Sequence, residues 1–520
     1  MVDATSILLF VVTILTGVFV WSRRTYVYWQ RRRVKFVQPT HLLGNLKDVL
    51  KMQNSFALQL RDYYFNERFT REPLVGIYLF HQPALLLRDL QLVRQVLIED
   101  FVNFSHRFSK CDGHQDKMGA MNLFFARNPE WRDIRTKLAP VFTTAKMKQM
   151  FSLMEEIGYD LETYLAKLTK DMKHTGEGPI VQIKDICDLY NTDMIASIAF
   201  GLRTHSLRNT YRAQLCHHSH EMFYISFRRA IDLCLIFIIP KLVKFLRPKL
   251  FTAEHTDFLR SLVVSMLEDR RTNGGLRNDL IEMLLTFKME AELNKDKSHF
   301  AHQQEYIVAQ AATFQLAGIQ TCASTLAFAL YELARQPKLQ ERLHLEIRKT
   351  IGDEDPPISL NFEKVEKMSY LSMVVEETLR KYPVVPFLER ECTPLNKRRF
   401  VSFRPHAECM ARKGMPVYIS NLALHYDSQY WPNPEHFDPE RFSPEQKPSH
   451  TPLSYLPFGA GPHHCIAQVL AQLQLKLGLI HFLNRHRVEC CDKTVDCIKF
   501  DKRYALLTHE GGIYLKLVEI

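Results

Sequence analysis

The chain has 520 residues, 46% of them hydrophobic, with no low-complexity tract, Gly/Ser-rich linker or fixed-period repeat, which excludes a disordered or repeat-built protein and leaves room for a large core. The formal net charge is +11, but Arg23, Arg24, Arg31, Arg32, Arg33 and Lys35 against the lone acid Asp3 place +5 of it at one end, and no zinc-finger or RNA-binding pattern accompanies the remainder, so nucleic acid is not the expected partner. Eleven cysteines, an odd number without Cys-x-x-Cys pairs, exclude a disulfide framework and fit reduced thiols.

From Ala4 to Trp21 every residue is apolar or small and uncharged, just long enough for a helix to cross a bilayer. Asp3 before the run and Trp21-Ser22-Arg23-Arg24 after it are the wrong flanks for a cleaved signal peptide. Residues 1–22 therefore read as a retained membrane anchor and 23–45 as a basic linker. The arginines keep the large domain, 46–520, on the cytosolic side.

Short strands are expected at Val75 to Phe80 and Ala84 to Leu87. The pattern then turns helical, with apolar residues three and four apart over Trp131 to Met150 and Leu153 to Met172. Trp131 and Arg135 sit one turn apart after the helix start Asn128-Pro129-Glu130. Ile231 to Pro240, followed by Lys241, Lys244, Arg247 and Lys249, is apolar with a basic margin, suited either to burial or to lying on a membrane. A long helix over His302 to Arg335 contains Ala317-Gly318-Ile319-Gln320-Thr321. There Gly318 costs stability unless something approaches the backbone, and Thr321 offers a hydroxyl. Helices over Lys338 to Ile351 and Val365 to Lys381 follow, the latter with Glu377 and Arg380 on one face. A strand over Val384 to Glu391 carries Arg390. Between Tyr426 and His450 five prolines forbid regular structure, so this is an ordered loop. It leads to Pro457-Phe458-Gly459-Ala460-Gly461-Pro462-His463-His464-Cys465, then a helix over Ile466 to Arg485 and strands within Tyr504 to Val518. The whole reads as mainly α with small β-sheets.

The glycine loop suits a backbone that must turn tightly, and a cysteine opening a long helix has its thiolate favoured by the N-terminal dipole. Phe458-x-x-Gly461-x-x-x-Cys465-x-Ala467, together with Glu377-Thr378-Leu379-Arg380, Pro439-Glu440-Arg441-Phe442, Trp131-x-x-x-Arg135 and Ala317 to Thr321 in this order, resembles the cytochrome P450 superfamily. Arg380 to Cys392 and the loop from Tyr430 to Phe442 resemble insect microsomal, family 6-like members in particular. The resemblance implies a single large heme domain behind the anchor, and heme b with Cys465 as the axial iron ligand. Trp131, Arg135, Arg390, Phe458 and His463 would hold the cofactor. Glu377, Arg380 and Arg441 form a structural ion cluster, and Gly318, Gln320 and Thr321 form the oxygen side. It implies a monooxygenase of lipophilic substrates (xenobiotic, insecticide or hormone-like) in the endoplasmic reticulum membrane.

Three residues depart from that pattern. Gln320 stands where a carboxylate usually precedes the threonine, and it cannot shuttle a proton as an acid does. His463 replaces an arginine, so its charge would follow pH and heme retention would weaken. Ala467 replaces a common glycine. The first two leave open an impaired heme-binding or ligand-sensing protein, or a peroxide-using isomerase. No Gly-x-Gly-x-x-Gly fingerprint is present, so electrons are expected from a separate NADPH–cytochrome P450 reductase, and from cytochrome b5 as a further donor. Arg132, Lys137, Lys146 and Lys148 are the candidate docking face, and Phe124, Phe125, Phe223 to Phe227, Phe314, Val384 to Phe387 and Leu506-Leu507 are candidates for the substrate pocket.

Overall fold

The apolar spacing between His302 and Arg335 folds as one helix over Gln304–Arg335, 32 residues long. Buried side chains occupy all its faces, so it runs through the interior rather than along the surface. The computed structural model describes residues 4–170, 178–207, 217, 221–273, 279–293, 304–352, 360–396 and 398–520. Helices Thr144–Lys170, Ile183–Phe200 and Gln468–Leu483 share one apolar core with this central helix. The Tyr190 hydroxyl ties two of them together by donating to the Gln474 carbonyl at 3.2 Å.

Prolines and local capping move several boundaries from where periodicity placed them. Trp131 to Met150 is not one helix: Glu130–Leu138 passes into a 3-10 turn, Ala139–Phe142, and a new helix starts at Thr144. Pro140 lacks the N–H needed to continue the ladder. The break expected near Met150 is absent, and Met172 lies outside the described residues. A similar break at Met368, whose backbone is extended, separates Phe362–Lys367 from Ser369–Lys381.

Nine strands complete the described fold: β1 (Leu74–Leu79), β2 (Gln82–Leu87), β3 (Ile180–Gln182), β4 (Phe387–Glu391), β5 (Phe400–Ser402), β6 (Met410–Arg412), β7 (Pro416–Ser420), β8 (His486–Glu489) and β9 (Tyr514–Glu519). They form a four-stranded sheet in the order β1-β2-β7-β4, a three-stranded sheet β3-β9-β8 and a hairpin β5-β6. The molecule is thus mainly α with small sheets. β1 is buried on both faces because the basic segment after the first helix covers it. Trp29 is fully buried there, its Nε1 donates to the Ile77 carbonyl at 3.1 Å, and a side chain at Gly76 would come within 2.7 Å of the indole.

The N-terminal helix runs over Ala4–Thr25, 22 residues. Several of its side chains fall outside the described residues. Among the described residues no helix is long and apolar enough to cross a membrane, so the anchor expected over residues 1–22 rests on sequence alone.

Candidate active site

The site is built on a buried charge cluster that fixes the proline-rich loop. Glu377 and Arg380, one turn apart on Ser369–Lys381, form a two-point pair, with Arg380 Nε on one carboxylate oxygen at 2.7 Å and a terminal nitrogen on the other at 2.8 Å. Neither side chain reaches solvent. The remaining Arg380 donors go to the carbonyls of His425 and Pro434, both at 2.8 Å, and Glu377 also accepts from the Asp438 N–H at 2.9 Å. Arg441 stands 3.5 Å from Glu377 and donates to the Asn433 carbonyl at 2.9 Å. Burial pushes the Glu377 carboxyl up, and the guanidinium bonded to both its oxygens opposes that shift. All three residues expected to cluster are brought together, and what they hold is loop backbone.

Past that loop the chain makes a tight turn. Gly461 has φ +69°, and a side chain there would strike the Leu97 carbonyl oxygen at 1.9 Å, so only glycine lets the loop lie against that backbone. The Cys465 N–H donates back to the Phe458 carbonyl at 2.8 Å, closing the loop. The helix expected from Ile466 begins at Gln468, so Cys465 lies in the turn before it, short of the first turn where the dipole acts most strongly. Burial raises the Cys465 thiol, while the Ala467 N–H and then the Arg135 charge favour the thiolate. Yet Cys465 keeps accessible surface, as do the residues around it from Phe458 to Gln472. Cys322, on the central helix, is pushed up to about 12 by burial, with the charge at Cys465 among the lesser causes, so the loop's cysteine lies within electrostatic reach of the helix.

Beside the cysteine stands a wall of guanidiniums. Arg390 is buried, its Nε has no partner, and burial followed by the nearby Arg107 charge lowers it to about 9. Arg107 is likewise lowered by burial to about 10, also has an unpartnered Nε, and lies over the Phe124 ring at 3.7 Å. Arg135 lies 3.3 Å from the His464 ring and is lowered by burial. The acid nearest this wall, Glu389, accepts from the Ser109 N–H at 3.2 Å and from the Ser109 hydroxyl, and burial raises it. Guanidiniums left under-neutralised in the interior are costly unless an anion joins them. Heme b carries two carboxylates beside a flat apolar ring, and this wall next to an accessible cysteine fits it. Sequence reasoning missed Arg107, whose partners are distant in the chain.

His463 corrects one expectation. Its Nε2 donates to the Ser105 carbonyl at 2.8 Å and its ring lies 4.0 Å from Trp131 and 5.2 Å from Phe101. Burial first, then Arg107 and Arg390, hold its pKa down to about 2. It is a neutral ring in an aromatic nest, so its charge does not follow pH in the neutral range. The positive charge expected of it is supplied by Arg107 and Arg390.

On the central helix, Ala317 is exposed while most of its neighbours are buried, and Gly318 and Thr321 are partly exposed beside it. An accessible stretch in the middle of an interior helix marks a cavity. The Thr321 hydroxyl donates to the Ala317 carbonyl. Gly318 is explained differently from the expectation: a side chain there would meet Ile195 Cδ1 at 2.4 Å, so the close approach that glycine permits is that of the Ile183–Phe200 helix. Gln320 also turns from the cavity. It is fully buried, its amide nitrogen donates to Asp188 at 3.1 Å, and its oxygen accepts from Lys184 at 2.9 Å, the two partners being themselves paired at 2.6 Å.

Among the pocket candidates, Phe223 packs with Val384, Tyr504 and Leu506 in one small apolar cluster, and Phe125 meets Phe237 edge-on at 5.8 Å. Phe314 packs on Phe142 at 5.6 Å, and the Phe227 side chain lies outside the described residues. Of the proposed docking residues, Lys148 pairs with Glu363 at 2.5 Å and Lys137 with Asp133 at 3.2 Å. Arg132 and Lys148 are exposed, whereas Lys137 and Lys146 are partly covered.

Comparison with known proteins gives a consistent picture. The family model described as Cytochrome P450 matches residues 35–517. The chain is 63% identical over 519 residues to a probable cytochrome P450 6v1 of Drosophila melanogaster, covering 99% of both. It is 42% identical to a probable cytochrome P450 6w1 of the same species, covering 99% of this chain and 98% of the relative. Similarity extends to the cytochrome P450 6j1 of Blattella germanica, at 35% over 98% of this chain and 96% of the relative.

Proposed function

This chain belongs to the cytochrome P450 family and is thereby a heme-thiolate monooxygenase, and on that premise we propose that it oxidises lipophilic small molecules, foreign or hormone-like, with NADPH electrons passed on by a separate reductase. The observation that carries this reading is the accessible surface at Ala317, Gly318 and Thr321, mid-way along a buried helix. When bound, heme supplies iron able to activate dioxygen, with a thiolate pushing electron density toward O–O cleavage. Cys465, presented by the Gly461 turn, would hold the iron through its sulfur. Arg107, Arg135 and Arg390, with Trp131 packed beside them, would receive the heme carboxylates. Phe458 borders the loop, and His463 packs the wall. Thr321 holds a proton at its Oγ, lent at rest to the Ala317 carbonyl, and passes it toward the oxygen side.

The small apolar cluster of Phe223, Val384, Tyr504 and Leu506, where it borders the pocket expected from the sequence, favours substrates without charge. Residues 1–22 anchor the chain in the endoplasmic reticulum membrane, with Leu9, Phe10 and Trp21 presenting exposed apolar side chains, and the domain lies on the cytosolic face. Basic residues led by Arg132 and Lys148 receive the acidic face of the reductase, and of cytochrome b5 as a second donor. Gln320 and His463, the departures that had favoured an impaired heme protein, are held in packing and hydrogen bonds away from the oxygen side, which is compatible with turnover.

The test is turnover of a panel of lipophilic compounds by the full chain in vesicles with reductase and NADPH. Oxygenated product that requires all three of NADPH, reductase and dioxygen is expected. Product formed equally well from peroxide alone, or NADPH consumption that no compound in the panel stimulates, contradicts the reading.

A further inference from the structure

Where the N-terminal helix meets the four-stranded sheet, the chain leaves a cavity of about 230 Å³ unrelated to the cysteine site. Its wall holds Arg24 at the end of that helix, Tyr28, Arg31 and Arg32 from the following turn, His81 between β1 and β2, and Arg412 from β6. No acidic residue lines it. Elements far apart in sequence thus deliver four guanidiniums to one concavity, and like charges gathered without a counter-ion repel. Arg32 is held 3.8 Å above the Tyr28 ring, so its guanidinium is fixed rather than free to swing into solvent. His81 is held between Trp21 at 4.1 Å and Tyr26 at 5.6 Å. The Tyr28 hydroxyl and His81 Nε2 are buried without a partner. Lys241 adds to the field: burial lowers its ammonium, and the Arg412 charge lowers it further.

We propose that this concavity binds a phosphate group, either the headgroup phosphate of an anionic lipid or a free phosphate. A phosphate offers several acceptor oxygens on one small centre, which matches convergent guanidinium forks better than a carboxylate or halide does. The volume admits a phosphate with its substituent, and the small movements that bring Tyr28 and His81 into contact satisfy two donors otherwise left bare. The lipid source rests on the anchoring described under the proposed function, since Arg24 lies where the helix would leave the apolar layer and exposed Trp21 lies just before it. The phosphate chemistry itself does not depend on anchoring or on turnover.

Hydrogen exchange of the full-length, heme-loaded protein over Tyr28–Arg32 and Met410–Arg412 tests this, with inorganic phosphate against chloride at equal ionic strength, and with phosphatidylcholine vesicles against the same vesicles containing phosphatidic acid. At a probe concentration ten times its Kd, exchange through local opening in both segments slows about tenfold. The double variant Arg32→Gln/Arg412→Gln, verified as folded by its retained heme spectrum, loses that slowing. Slowing by phosphatidic acid alone assigns the headgroup as source, slowing by inorganic phosphate alone assigns a soluble one, and slowing by both assigns phosphate in general. No slowing with either probe, or slowing that survives in the double variant, overturns the site. Because the readout lies away from Cys465, its failure leaves the monooxygenase reading standing.

Discussion

Thr321 and Gln320 are adjacent in sequence and face opposite ways, which separates chemistry from packing at one turn of one helix. The Thr321 hydroxyl is satisfied by its own helix, so Thr321→Ala is expected to change stability by less than about 1 kcal/mol. Turnover is expected to fall by about 10²-fold as proton delivery is lost, with NADPH still consumed and hydrogen peroxide released. Product, NADPH and peroxide measured together decide it, and unchanged product per NADPH would remove Thr321 from the relay. Gln320→Leu has the converse expectation. It removes one hydrogen bond from each of Lys184 and Asp188, which stay paired with one another, lowers stability by about 1–3 kcal/mol in denaturant titration, and spares the product-to-NADPH ratio. The glutamine was readable as a departure, but its direction was not, because Asp188 lies 132 residues away and no local pattern reports it. Arg107 escaped sequence reading for the same reason: it neighbours His463, whose hydrogen bond to Ser105 spans 358 residues.

Among the elements, the Ser369–Lys381 helix and the proline-rich loop act as a unit. Arg380→Ala strips the buried Glu377 carboxyl of its two-point partner, a loss of about 3–5 kcal/mol, and heme is expected to dissociate at a lower denaturant concentration than from the parent. An unchanged midpoint would show that the cluster holds nothing. The same unit makes stability depend on pH through His425. Its Nε2 accepts the Leu456 N–H at 2.8 Å, and burial, then the Arg380 charge, lowers it to about 3. The unfolded imidazole titrates near about 6.5, so between these values the unfolded state binds the proton and stability falls as pH falls. Going from pH 7 to 4.5 costs about 2.5 kcal/mol at this residue, and His425→Asn is expected to flatten that part of the profile. The spacing Glu377-x-x-Arg380 and the prolines announced this unit because both signals are local. The break at Pro140 was local too, but periodicity continued across it and hid it. The late start of the last helix, at Gln468, reflects the turn that presents Cys465, which apolar spacing cannot register.

For the whole molecule, sequence and structure agree on a mainly helical body with small sheets, since the long apolar periods dominate the core. Its charge is less evenly legible. The surplus of arginines at the amino end is visible in the sequence, yet only folding brings Arg412 beside Arg24, Arg31 and Arg32. Electron delivery by a separate partner is expected to weaken as salt rises, because exposed charges are screened beyond about 10 Å at 0.1 M. The rate of heme reduction by reductase should fall severalfold between low and high salt, and Arg132→Glu with Lys148→Glu should lower it at low salt alone. A rate indifferent to salt would argue against a basic docking face. Everything at this scale depends on the iron being held by Cys465. The most direct measurement is the carbon monoxide difference spectrum of the reduced, full-length protein beside that of Cys465→Ala. A strongly red-shifted Soret band is expected in the parent and lost in the variant, while a parent that carries heme without that band, or a variant that keeps it, would contradict thiolate ligation by Cys465.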